Sequence, residues 1–131
     1  MSAARAGRYD DLHNDTMNAV YIYRARCHRI KDGDTFILDV DLGFNVRAHV
    51  NVRLRDVNAP ERGTPEGKQA MEWLRTFIGS ADLLVTSYKD KMSFERWICD
   101  VRVFRVVGDP EPVDLATAMV EAGHATRVVP K

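Results

Sequence analysis

The sequence predicts an α+β domain that is predominantly β: a closed five-stranded Greek-key barrel with two or more helices. Three observations predict it. Five stretches alternate apolar and polar side chains with the period of two that a half-buried strand requires. A helical pattern is inserted after the third of them and a shorter one follows the fifth. The length of 131 residues and the 45% hydrophobic content suit one domain that buries a core without a disulfide or metal staple.

The opening MSAARAGRYDDLHNDTMN is small, polar, charged and aperiodic, so residues 1–18 are expected to form a mobile leader and residues 19–131 the domain. From there Tyr21, Tyr23, Ala25 and Cys27 share one face of a strand, with Ile22, Arg24, Arg26 and His28 on the other. KDGDT supplies a turn around Gly33, and Phe36, Leu38, Val40 and Leu42 then alternate with Thr35, Ile37, Asp39 and Asp41. After a second turn, DLGFN, the pattern puts Val46, Ala48, Val50, Val52 and Leu54 inward. Arg47, His49, Asn51, Arg53 and Arg55 face outward.

VNAPERGTPEG is too rich in Pro and Gly for regular structure, which leaves Asn58 to Glu61 on a loop at a strand end. Thr64 as N-cap and Pro65 at the first helical position announce a helix. Its Ala70, Trp73, Leu74, Phe77 and Ile78 recur at helical spacing before Gly79 stops it. Two more strands are expected, Leu83 to Tyr88 and Trp97 to Phe104. The second sets Trp97, Cys99, Val101 and Val103 opposite Arg96, Ile98, Asp100 and Arg102. Beyond GDPEP, Asp114 caps a short helix with an apolar stripe of Leu115, Ala118, Met119 and Ala122, ended by Gly123. Three strands, a helix, two strands and a helix suit a barrel of the OB type, whose curled sheet leaves few edges exposed.

Nineteen Lys plus Arg balance nineteen Asp plus Glu, so there is no global basic field and any polyanion site must be a local patch. Cys27 and Cys99 lie far apart and form no CxxC pair, which excludes zinc knuckles and makes reduced thiols the default. No apolar run approaches the ~20 residues of a bilayer span and the start has no secretory h-region. A cytoplasmic, monomeric protein with no membrane partner is the expectation. The sequence has no P-loop, dinucleotide fingerprint or nucleophile elbow, and His13, His28, His49 and His124 lack metal-ligand spacing. DVDLGFN begins like a calcium loop but has Val50 where the bidentate glutamate belongs, so it reads as a hairpin turn.

Oxygen-bearing side chains gather at the two loops flanking the arginine-bearing strand: Asp32 and Asp34 on one, Asn58 and Glu61 on the other. Converging, they offer a hard cation the oxygen ligands it prefers; read as turn formers, they do no more than shape the loops. Arg53 and Arg96 carry planar forks that donate in pairs to phosphate oxygens, whereas Arg47, Arg55 and Arg102 read as cross-strand ion pairs.

The ordered set KDGDT, VRLRDVNAPE, Gly67 and Ala70 opening a helix, then FERW resembles the staphylococcal (thermonuclease-like) nuclease family from about Tyr21 to Gly123. The resemblance implies an OB barrel that hydrolyses DNA and RNA with calcium. By position, Asp34, Asn58 and the Ala59 carbonyl resemble the metal ligands, Glu61 the general base, and Arg53 and Arg96 the phosphate clamp. The best-known member carries aspartate where Asn58 stands, so calcium should be held more weakly here or replaced by another divalent ion. Glu95 stands where the family usually has glycine, and the family's base-contacting tyrosine has no counterpart, leaving Tyr88 or Phe94 for stacking. A virus-encoded or narrowly targeted nuclease would suit a chain lacking an export signal. The rival expectation is a catalytically silent OB module that binds nucleic acid or a protein partner.

Overall fold

The computed structural model describes residues 20–93, 96–105 and 111–128. The expected leader with His13, and also Phe94 and Glu95, lie outside the described residues. Strand β1 (Val20–Asp32) turns at Gly33 into β2 (Thr35–Asp41), which hairpins into β3 (Arg47–Leu54). A two-residue β4 (Val57–Asn58) leads to helix α1 (Pro65–Ile78). Strands β5 (Leu83–Ser93) and β6 (Arg96–Val103) follow, and then β7 (Val113–Asp114), helix α2 (Leu115–Glu121) and β8 (Thr126–Arg127).

The main sheet runs in the order β3-β2-β1-β5-β6-β7, and β3 also pairs with β6. That extra pairing closes five strands into the expected OB-type barrel. It is parallel, with Val52 opposite Trp97 and Leu54 opposite Cys99. Strand β1 is long enough to serve two partners: Val20 to Ala25 pair with β5, and Arg24 to Asp32 pair with β2. Irregularities between Cys27 and Arg29 and between Ile30 and Asp32 interrupt its register with β2.

Alternation fills the barrel as the pattern demands. Phe36, Leu38, Val52, Leu54, Val85, Cys99, Val101 and Val103 are buried in one cluster, which Leu74 and Ile78 of α1 and Leu115 and Met119 of α2 complete. The Thr64 side chain accepts from the Gly67 N–H with Pro65 at the helix start, and Gly79 follows the last turn at φ 52°. Asp114 caps α2 by accepting from the Thr117 N–H. Both caps stand where the sequence puts them.

The pattern fails at the rim. Leu42 and Val46 are 42% and 50% exposed rather than inward, because their hairpin projects past the filled part of the barrel. Thr35 departs the other way: assigned to the outer face, it is 3% exposed, covered by the groups described below. Asn58 is in β4 rather than a loop, since Val57 and Asn58 pair with Arg127 and Thr126. Strands this short carry no periodicity to read.

Candidate functional site

The site is built on the turn between β1 and β2. Gly33 is tightly enclosed: a β-carbon there would meet the Ala59 Cβ at 2.6 Å and the Ala70 Cβ at 3.6 Å. Asp34 follows, its carbonyl accepting from the Leu54 N–H at 2.9 Å. Register then sets Thr35 opposite Arg53. Asp56, at φ 64°, turns the chain after β3 so that Asn58 and Ala59 return to the same corner.

Four of the expected residues meet there. The Asp34 carboxylate accepts from the Thr35 hydroxyl at 3.1 Å and from the Ala59 N–H at 3.1 Å. Its Oδ2 is 3.5 Å from Arg53 Nη2, and the two side chains are only 14% and 21% exposed. Arg53 Nη2 also donates to Asn58 Oδ1 at 2.5 Å, while Nη1 donates to the Leu54 carbonyl at 2.9 Å. Partial burial leaves this pair less screened than a surface ion pair.

Arg96 enters from the start of β6, and its Nη1 donates to the Thr35 hydroxyl at 3.2 Å. Thr35 thus links Asp34 to Arg96 and is the member that sequence reasoning missed. Its signal was its place in DGDT, directly after the carboxylate. Glu61 stands at the edge of the group, with its side chain exposed. Its carbonyl accepts from the Thr64 hydroxyl at 2.7 Å and the Thr64 N–H at 3.0 Å. A β-carbon on Gly67 would lie 1.8 Å from that carbonyl oxygen, so only glycine lets the loop lie against α1. The Glu61 carboxylate has no hydrogen bond or ion pair among the described residues.

The remaining outward arginines divide. Arg47 is bound to Asp39, and Arg55 makes a two-pronged contact to Asp100 at 3.1 and 3.2 Å. Arg102 makes no ion pair among the described residues, contrary to expectation. The Tyr88 hydroxyl donates to Asp100, and its ring lies 4.5 Å from the Arg55 guanidinium carbon. Burial and then that hydrogen bond raise the Tyr88 phenol above its ordinary value. Tyr88 also lines a cavity of about 290 Å³ in the barrel mouth with Tyr21, Tyr23, Ser87 and Trp97. Trp97 and Val52 in that lining adjoin Arg96 and Arg53 in sequence.

Among the described residues no three His, Cys, Asp or Glu side chains form a metal-holding group. The chemistry of the donor set nevertheless fits a hard divalent cation: a carboxylate at Asp34, an amide oxygen at Asn58 and main-chain oxygen at Ala59, with one negative charge in all. The Arg53 guanidinium rests on the first two of these oxygens, so they are already engaged by a positive group.

Fold and geometry define the class: an OB-type barrel with two guanidinium groups and a carboxylate around its first tight turn. No family model matches the chain, and no curated protein matches it. Among the described residues no helix is long and apolar enough to cross a membrane.

Proposed function

We propose that the chain is a nuclease resembling the staphylococcal nuclease family, hydrolysing phosphodiester bonds of DNA or RNA with little sequence preference. The observation that carries the reading is the gathering of Arg53, Arg96 and Asp34 around Thr35, all within hydrogen-bonding or ion-pairing reach of that turn. Two forks beside a partly buried carboxylate suit a phosphodiester better than a neutral ligand.

Arg53 and Arg96 bind the nonbridging oxygens and stabilise the charge that grows on them as phosphorus becomes pentacoordinate. Glu61, exposed and uncommitted, takes the proton from a water whose oxygen attacks phosphorus in line. The bond from phosphorus to the 5′ oxygen breaks and that oxygen takes a proton from solvent, leaving a 3′-phosphate and a 5′-hydroxyl. Asp34, Asn58 and Ala59 would hold calcium or another divalent ion, which when bound neutralises charge on a phosphate oxygen. Backbone contacts dominate this scheme, and so sequence goes unread.

A second reading, nucleic-acid binding without cleavage, is favoured by the engagement of Arg53 with Asn58 and Asp34. Plasmid and single-stranded RNA incubated with calcium, magnesium, manganese or EDTA separate the two. Metal-dependent cleavage supports the nuclease; retention without cleavage under every metal overturns it.

A further inference from the structure

The chain is electrically balanced, yet three arginines without an ion pair among the described residues share one groove. A groove of about 430 Å³ between β1 and α1 is lined by His28, Arg29, Arg62 and Arg75 over a floor that includes Met71 and Ile78, and no carboxylate lines it. Arg24, Arg102, Arg105 and Arg127 also lack an ion pair among the described residues, but the other arginine-rich groove, lined by Arg24, Arg26 and Arg47, has Asp39, Asp41 and Asp82 in its lining as well. Arg26, Arg47, Arg53 and Arg55 each lie within 4.0 Å of an aspartate, whereas Arg29, Arg62 and Arg75 make no ion pair among the described residues. All three are exposed, and the Arg62 guanidinium is turned back onto the Lys31 carbonyl at 3.5 Å, beside the groove.

Local potential, not net charge, attracts a polyanion, and a concave wall with charges of one sign concentrates that potential. The groove also joins the site already described at two points of the chain. Arg62 follows Glu61 directly, and Arg29 lies on the strand whose end forms the Asp34 turn. Chain connectivity thus ties the groove to the Glu61 loop through Arg62 and to the Asp34 turn through β1.

We propose that this groove binds the phosphodiester backbone of nucleic acid flanking the scissile phosphate. That the bound backbone flanks a scissile phosphate rests on the reading of the turn site as a phosphodiesterase. The groove's cations suit a chain of phosphodiester groups. Phosphates are held there by charge and by forked hydrogen bonds, with no contact that reads a base.

The test compares the full chain with Arg29→Glu/Arg75→Glu and the neutral Arg29→Gln/Arg75→Gln, all checked for unchanged thermal midpoints. Binding of a fluorescently labelled twelve-nucleotide oligothymidylate is followed by anisotropy in EDTA over a salt series. Turnover of bis(p-nitrophenyl) phosphate, too short to reach the groove, is measured with calcium. The expected result is at least ~10-fold weaker oligonucleotide binding on charge reversal, a smaller loss for the neutral pair, and a slope of log affinity against log salt shallower by about 1.4 for two lost phosphate contacts. Diester turnover should be unaltered in both variants. Unchanged affinity, or a loss without a change in salt dependence, overturns the groove while leaving the nuclease reading standing. Binding that depends on Arg29 and Arg75 in a protein that cleaves nothing supports the groove and removes the nuclease. No oligonucleotide binding by the unaltered chain overturns the groove, and diester turnover with calcium then decides the nuclease reading by itself.

Discussion

Gly33 and Ala59 face each other so closely that a β-carbon on the first would stand 2.6 Å from that of the second. This contact joins the β1–β2 turn to the segment after β4 and so holds the Ala59 N–H on Asp34. Gly33→Ala should therefore destabilise the protein by about 1–3 kcal/mol, the usual cost of overpacking. Ala59→Gly should recover most of that loss in the double variant. Chemical denaturation of the four proteins gives the coupling, and additive effects would mean the two loops are not in contact.

The clamp assignment predicts that Arg53→Ala and Arg96→Ala each lower polynucleotide cleavage on the order of a hundredfold or more, with Glu61→Gln similarly impaired. Arg53→Ala also removes the partner of Asn58 and Asp34, so its thermal midpoint should fall; Glu61→Gln, on an exposed side chain, should melt like the parent. Undiminished cleavage in Glu61→Gln and Arg53→Ala would refute the site.

Asn58→Asp should tighten divalent-cation binding in the absence of substrate, because it adds a second negative charge to a donor set that has one. Calorimetric titration with calcium reads this without recourse to activity. The opposite outcome, weaker binding, would mean that the new carboxylate closes on Arg53 rather than opening to the ion.

Stability should decline at alkaline pH. Burial pushes the Cys99 thiol up to about 11 from its ordinary 9.0. A raised acid keeps its full contribution below pH 9 and loses it as pH climbs through 11, at about 1.4 kcal/mol per pH unit. Denaturant midpoints at pH 8 and pH 10.5 should therefore differ less in Cys99→Ala than in the parent. Cys27 and Tyr88, both raised by burial, add slope of the same sign.

At the β2–β3 tip, Gly43, Phe44 and Asn45 all have positive φ, and Phe44 is wholly exposed. A bulky side chain held at φ 55° costs about 1 kcal/mol and recovers nothing by burial. Phe44→Gly should raise the midpoint of thermal unfolding by a few degrees, and a lowered midpoint would show that the ring has a partner in the folded chain.

Caps, turns and alternation made the barrel readable, because each depends on residues a few positions apart. Thr64, Pro65, Gly79 and Asp114 act through local backbone geometry and stand where the sequence puts them. Thr35 was not readable: its burial comes from Arg96, sixty-one residues away in the chain. The same holds for the pairing of β4 with β8 and for the gathering of Arg29, Arg62 and Arg75 in a groove with no carboxylate among its lining residues, since such a grouping is a property of the assembled surface. The resemblance selected Asp34, Arg53, Asn58 and Ala59 by motif, and the structure brings these four side by side. Glu61 it leaves at the edge.

The parallel seam between β3 and β6 has a consequence for how the protein comes to exist. Two parallel strands cannot be joined by a tight turn, so α1 and β5 must be laid down before the seam can form. Such distant pairing is slow to nucleate. A ribosome-bound chain that has emerged only as far as β5 exposes Asp34 and Arg53 before Arg96, so the cluster around Thr35 is incomplete until the ring shuts.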